Sequence, residues 1–353
     1  MKIAIFHNLR TGGGLEYIEH VVTELYNKSI TVDVFTHQQN KIDKSNKTYY
    51  YPLQPTSNIF KHVSQVLVET NTTEREMAHR INNEKYNFVF VFPCHLQQCP
   101  NIINYLPKNN TYYFYFESLR EHYEKTSFDY YSIKKIISRT IRFPIKIQDL
   151  LNCSKATNII SNSYYSNYIL EKVYKKTSNV VYPGMVRTSP QKLIISNKNT
   201  KLSFGQLSML KGHHISASIT PNMNIFGLRS HENIKVRLHN SAILHDEIID
   251  NKDKFTLYKR FTYFFANQIN EPFGLTTLEA TQNNCYIIGR NEAGTCEIVS
   301  NGVNGLLYNI NNLRLSRELF QNIENKQTIL LYKITKINWT ETIDNIINII
   351  SYV

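Results

Sequence analysis

Apolar residues in this chain follow two rhythms, and the alternation between them outlines the fold. Lys2–His7 is a short apolar run, followed at once by Thr11-Gly12-Gly13-Gly14. Leu15, Ile18, Val22 and Leu25 then fall at the spacing of one helical face, and Ile30–Phe35 returns to a strand-like run. Strand, glycine turn, helix and strand make a βαβ unit, the building block of parallel sheets. Further buried strands are predicted at Tyr86–Phe92, Thr111–Phe116 and Tyr263–Phe265, with a short helix over Leu275–Gln282. Near the end, Trp339, Ile343, Ile346, Ile347 and Ile350 share one helical face. Pro183-Gly184 breaks regular structure, which places an interdomain linker there.

Composition supports two domains. The chain has 353 residues, beyond the usual single core, and its 42% hydrophobic content with 24 Tyr and 18 Phe supplies core material. No run of about eighteen apolar residues occurs, so no spanning helix is expected. Lys2–Phe6 is too short for a signal peptide and reads as a first strand. Cys94, Cys99, Cys153, Cys285 and Cys296 show no metal-ligand spacing. An odd number of cysteines in a large chain fits free thiols in a reducing cytoplasm.

The formal charge is +12, and its placement says more than its size. Between Ser132 and Lys176 the bases are Lys134, Lys135, Arg139, Arg142, Lys146, Lys155, Lys172, Lys175 and Lys176, opposed only by Asp149 and Glu171. Ile133, Ile136, Ile137, Thr140 and Ile141 lie at helical spacing among them, giving a basic amphipathic helix interrupted at Pro144. An anionic membrane surface, an anionic lipid-linked acceptor and nucleic acid all suit such a helix, as does a plain solvated face. Nucleic acid ranks last, since no zinc spacing, basic-zipper heptad or RNA-binding aromatic signature accompanies the charge.

The densest chemistry is Asn270–Ala280. Glu271 and Glu279 stand eight residues apart across Pro272-Phe273-Gly274, after the aromatic strand and before the helix beginning near Leu275. A strand–turn–helix of this kind offers unpaired backbone N–H groups and the positive end of a helix dipole, which suits phosphate. Two carboxylates around it suit a ligand bearing both hydroxyls and phosphates, such as a nucleotide-sugar. An ordinary helix with acidic residues near its start fits the same residues. In open α/β sheets ligands sit beyond the carboxyl ends of strands, which points to His95, Glu117 and Arg120 as well. Gly12-Gly13-Gly14 is followed by Leu15 and Glu16, so it is no G-x-G-x-x-G fingerprint and gives little support to a nicotinamide cofactor.

Glu271–Glu279 resembles the E-x7-E motif of the family 4 (group 1) retaining glycosyltransferases. Three further segments match in register: Asn284–Gly289, Ala293-Gly294-Thr-Cys-Glu297-Ile-Val, where Ala293 replaces a Gly, and Asn301-Gly-Val-Asn-Gly-Leu-Leu307. Gly13, Gly14 and Glu16 resemble the family's Gly-Gly-x-Glu turn. Glu117, Arg120, Tyr123 and Glu124 match its His-Glu-Pro-x-Arg-x-x-Tyr-Glu segment, with Phe116 and Ser118 for His and Pro. Lys211-Gly212 matches an Arg-x-x-x-x-Lys-Gly segment, with Gln206 in the place of Arg. Asn158–Ser163 and Tyr164–Lys175 resemble the strand and helix that end the family's first domain. The region Asn222–Lys254 follows the family poorly.

The resemblance implies an α/β fold of the GT-B kind, two Rossmann-like doubly wound domains facing across a cleft. The acceptor-side domain would cover 1–183 and the nucleotide-sugar domain 184–337, with the terminal helix, 338–353, packing back on the first. It implies a retaining hexosyl transfer from a nucleotide-sugar donor, itself a co-substrate with no further cofactor, to a glycan or lipid-linked acceptor. Glu271 and Lys211 would be catalytic. Gly13, Gly14, Gln206, Lys211, Pro272, Phe273, Gly274, Leu275 and Glu279 would bind the donor, with Glu279 on the ribose hydroxyls. Lys211 and the amides of Gly274 and Leu275 would stabilise the departing diphosphate, with Arg290 or another base standing in for the missing Arg. His95, Glu117 and Arg120 are the acceptor-side candidates. No Asp-x-Asp occurs, so no metal is expected. A sugar-phosphate-forming enzyme and a non-catalytic sugar-binding protein are the alternatives, and the expected place of action is the cytoplasm or the cytoplasmic face of a membrane.

Overall fold

The structure is a computed structural model that describes residues 1–54, 56–124, 132–184, 193–196, 200–227, 238, 241–245, 251–325, 328–331 and 338–351, with backbone alone at 193–196, 251–252 and 328–331. The chain divides into two compact units, Met1–Gly184 with Ile337–Val353, and Met185–Lys336.

In the first unit β1 (Lys2–Asn8), β2 (Thr31–Thr36), β3 (Lys47–Tyr50), β4 (Phe88–Cys94), β5 (Thr111–Tyr115), β6 (Asn158–Ser161) and β7 (Asn179–Val180) form one parallel sheet. Its order is β3-β2-β1-β4-β5-β6-β7. The strands read as unbroken apolar runs because both faces are covered. On one face Ile3, Ile5, Val32, Val34, Phe90 and Phe92 meet the helix Gly13–Asn27 and the helix Trp339–Ser351. On the other, Ala4, Phe6, Val89 and Val91 meet Met77, Ala78 and Ile81 of the helix Thr70–Asn83.

In the second unit, β8 (Leu193–Ser196) is followed by β9 (Lys201–Phe204), β10 (Asn224–Phe226), β11 (Ile243–His245), β12 (Tyr263–Ala266), β13 (Tyr286–Arg290), β14 (Gly305–Tyr308) and β15 (Thr328–Leu331). The parallel sheet runs β11-β10-β9-β12-β13-β14, while β8 pairs antiparallel with β15. Both parallel sheets turn back at the same place in their order, between the first and fourth strands. Such a switch point leaves a crevice beyond the carboxyl ends of those two strands. The expected pair of doubly wound sheets is therefore present. β10 and β11 come from the stretch that follows the family poorly.

The basic amphipathic helix is present over Ile133–Ile141, with the Ser132 hydroxyl capping it by accepting from Lys135 N–H. None of its residues is buried. The break at Pro144 is short: a second helix, Phe143–Lys155, starts at once with Pro144 in its first turn, where a missing N–H costs nothing.

The terminal helix belongs to the first unit. Trp339 stacks on His20 with ring centroids 4.6 Å apart and meets Tyr17 edge-on at 5.2 Å. The Thr342 hydroxyl donates to the Tyr182 carbonyl at 2.9 Å, and Lys28 pairs with Asp344 at 2.6 Å. Gly184 lies so close that a Cβ there would sit 2.3 Å from the Trp339 nitrogen. Gly184→Ala is therefore expected to destabilise this unit by about 1–3 kcal/mol through overpacking. Trp339 is the single tryptophan, so its fluorescence in a denaturant titration reads the change directly.

Candidate active site

The second unit's switch point joins the loop after β9 to the loop after β12. Met209–Lys211 is a single 3₁₀ turn, and Gly212 adopts the left-handed conformation, φ +67°. A Cβ on Gly212 would lie 1.9 Å from the Asn267 carbonyl oxygen, so the two loops touch only because that side chain is missing. Ile269 N–H donates to the Leu210 carbonyl at 2.8 Å, locking their register. The result is a direct ion pair, Lys211 Nζ to Glu271 Oε2 at 2.9 Å, between residues sixty positions apart. Both side chains keep some solvent contact, 31% for Lys211 and 18% for Glu271.

Gly274 caps the helix Leu275–Gln282, whose bounds match those read from the sequence, with a left-handed φ of +100°. Pro272-Phe273-Gly274 is held by the loop after β13. Gly294 N–H donates to the Glu271 carbonyl at 2.9 Å, and a Cβ on Gly294 would meet Phe273 Cα at 2.5 Å. Phe273 is buried beneath this contact. The neighbouring Ala293 is left-handed too, φ +53°, a conformation that costs a side-chain-bearing residue about 1–2 kcal/mol and that a Gly would adopt freely. Here the departure from the resembling motif carries a physical cost.

Glu279 is placed differently from Glu271. Lys254 Nζ lies 2.8 Å from its Oε1, and the Tyr258 hydroxyl donates to its Oε2 at 2.9 Å. Lys254 and Tyr258 sit four apart on the helix Asn251–Tyr258. The Lys254 side chain is only 6% exposed. The two carboxylates thus pair with different lysines within one unit. The second pairing was missed in the sequence because Lys254 lies where the resemblance fails. An i, i+4 Lys–Tyr pair beside an E-x7-E motif was its only signal.

Gln206 is exposed, and its carbonyl accepts from His213 Nε2 at 3.1 Å, while the Ser203 hydroxyl bonds His213 Nδ1 at 2.8 Å. Burial pushes His213 down to about 4, so this neutral imidazole fixes the backbone of the β9 loop. Arg290 is buried and donates to Glu292 Oε2 at 2.7 Å, while Glu292 Oε1 accepts from Asn270 N–H at 3.1 Å. It braces the loop before Glu271 through Glu292.

In the first unit the switch point lies between β1 and β4. Gly12 caps the helix Gly13–Asn27 with φ +95°, placing Gly13 and Gly14 in its first turn. A Cβ on Gly14 would touch Leu9 at 3.0 Å and Phe116 at 3.8 Å. Phe116 packs on Tyr17 at 5.0 Å, so the residue replacing a family His serves the core. His95 follows β4, with Nδ1 2.7 Å from the Asn8 carbonyl, which can only accept. Nδ1 therefore carries the proton, and burial holds the ring near a pKa of about 4, leaving Nε2 as an acceptor. Glu117 and Arg120 come together, Nη1 to Oε2 at 3.7 Å, and Arg120 Nε also donates to Glu124 at 3.0 Å. Among the described residues no cluster of His, Cys, Asp and Glu is arranged to hold a metal ion.

Residues 187–334 match the family model described as glycosyl transferases group 1. No curated protein sequence matches the chain. Among solved structures it is similar to the Anabaena protein HepE in complex with UDP, at 15% identity and TM-score 0.62, covering 100% of each chain. It is also similar to sucrose-phosphate synthase from Thermosynechococcus elongatus, at 14% identity and TM-score 0.65, covering 97% of this chain and 92% of that one. WaaG, a glycosyltransferase involved in lipopolysaccharide biosynthesis, aligns at 11% identity and TM-score 0.61 over 92% of this chain and 90% of that one. At such identities the structural likeness speaks for the fold. On that fold, which is GT-B, and on the match over residues 187–334, the chain resembles the group 1 glycosyl transferases.

Proposed function

We propose that the chain is a retaining, metal-independent glycosyltransferase that moves a hexosyl group from a nucleotide-sugar to a glycan or lipid-linked acceptor. The observation that carries this reading is the Lys211–Glu271 pair beside the amino end of the helix Leu275–Gln282. A cation, two turn amides and a helix dipole converge where a diphosphate would bind and where its charge would grow as it leaves. On donor binding Lys211 exchanges the Glu271 carboxylate for phosphate oxygens, which frees Glu271 to accept from sugar hydroxyls. Gly13 and Gly14 are assigned to donor binding, and His95, Glu117 and Arg120 to the acceptor side. The HepE structures with UDP and UDP-glucose make uridine diphosphate sugars the first donors to try. Buried free thiols at Cys94, Cys99, Cys153 and Cys285 support action in a reducing cytoplasm.

Incubation with UDP-, GDP- and ADP-sugars should release free nucleotide from one of them, at a rate that a chelator leaves unchanged. Absence of release and of binding across the panel would favour a protein that kept the fold and lost the donor. Lys211→Ala is expected to lower turnover about a hundredfold while leaving the unfolding midpoint nearly in place. Gln206→Arg should raise turnover by restoring a second cation, and an unchanged rate would show that Gln206 is no deficit.

Glu279→Ala is expected to weaken nucleotide binding by about 1–3 kcal/mol through lost ribose bonds. Because that change also removes an ion-pair partner of Lys254, Lys254→Met is the companion, relaxing the carboxylate while keeping it. Calorimetry with the released nucleotide should show both variants weakened, the first more. Unchanged affinity in a folded Glu279→Ala protein would remove Glu279 from the site.

A further inference from the structure

A helix that serves only its fold hides its apolar face, as Gly13–Asn27 does with Leu15, Tyr17, Ile18, Val21, Val22 and Leu25. The helix Ile133–Ile141 does not: Ile133, Ile136 and Ile137 are 77%, 44% and 54% exposed. Nor does the stripe stop at Pro144. Phe143, Ile147 and Leu151 fall four apart on the next helix and are 50%, 41% and 53% exposed. The opposite side of that helix, with Ile145, Asp149, Asn152 and Cys153, is buried. Six large apolar side chains thus line the outside of two consecutive helices. An open cavity of about 300 Å³ between them is lined by His122, Ile136, Arg139, Thr140 and Phe143.

The charges that these two helices themselves present to solvent have one sign. Lys134, Lys135, Arg139 and Lys146 accompany the stripe, and the Lys146 ammonium lies 5.7 Å from the Phe143 ring centre. Asp149 is the only acid in either helix, and it points inward, accepting from Cys99 N–H at 2.7 Å and from the Tyr174 hydroxyl at 2.5 Å. A second copy docking through the same surface by two-fold symmetry would set bases against bases. A nucleic acid would neutralise the bases yet leave the apolar stripe in water.

We propose that these two helices dock the protein on an anionic phospholipid bilayer. The isoleucines and Phe143 enter the boundary between headgroups and acyl chains, and the four bases pair with lipid phosphates. This deepens the glycosyltransferase reading by naming the surface on which a lipid-linked acceptor would be met, and it rests on that reading for its purpose alone.

Sedimentation of the full chain with vesicles of phosphatidylglycerol and phosphatidylcholine, without any donor, tests it. The protein should pellet with the anionic vesicles, remain in solution with pure phosphatidylcholine, and be released as salt rises. Lys134→Gln/Lys135→Gln/Arg139→Gln should lower the partition coefficient on the order of a hundredfold. Ile133→Ser/Ile137→Ser/Leu151→Ser should lower it too, even at low salt, with unchanged circular dichroism for both variants. No binding at low salt overturns the proposal. So does binding that both triple variants retain, or a concentration-dependent dimer that the serine variant abolishes while lipid binding persists. Nucleotide release is measured separately, so a chain that binds vesicles without cleaving any donor loses the enzymatic reading and keeps this one.

Discussion

The second unit's chemistry depends on how closely two backbones approach at Gly212. Any side chain there would drive the β9 loop away from Asn267, and the bond from Ile269 N–H to the Leu210 carbonyl would open with it. Lys211 is the next residue along one loop, and Glu271 lies two beyond Ile269 on the other. Their meeting is therefore a consequence of backbone contact rather than of attraction between flexible side chains. Gly294 repeats the device on the other side, letting the loop after β13 lie against Phe273 and holding the Glu271 carbonyl. Two glycines with no room for a Cβ thus fix one carboxylate from two directions.

The two ion pairs of this unit differ in how readily they open. Lys211 and Glu271 retain access to water, and a partly exposed pair contributes little net stability, so opening it costs little. Lys254 is nearly enclosed, and separating it from Glu279 would remove an opposite charge from a buried cation, which is unfavourable. The first pair is suited to rearrange and the second to stay. The position of the Glu279 carboxylate is thus set by Lys254 and Tyr258 from the neighbouring helix.

Local periodicity made much of this legible. Leu275–Gln282 was readable to the residue, because apolar spacing and the Pro-Phe-Gly turn agree at its start, and the helix of Ile133–Ile141 was readable from its isoleucine spacing. Strand limits moved by one or two residues, as at Tyr86–Phe92, where Tyr86 spends its hydroxyl on Asp33 at 2.8 Å and Glu84 at 3.0 Å before the ladder begins at Phe88. Pairings across the fold were not readable. Nothing in a linear chain announces that Lys254 will find Glu279, or that Arg290 will be taken by Glu292. The stripe Phe143, Ile147 and Leu151 escaped notice for a different reason. Its helix is apolar on both sides, and only burial shows that Asp149 and Asn152 mark the inner one.

The terminal helix also orders events in time. Residues from Trp339 onward cover Tyr17 and Ile18, made more than three hundred positions earlier, and the whole second unit is synthesised between them. While a ribosome works through the intervening sequence, the first sheet has one face short of Ile343, Ile346 and Ile350. That apolar strip stays open to solvent and to chaperones until the helix Trp339–Ser351 emerges, whereas the second unit can complete its core before then. Damage to the helix Trp339–Ser351 would therefore fall on the unit made first.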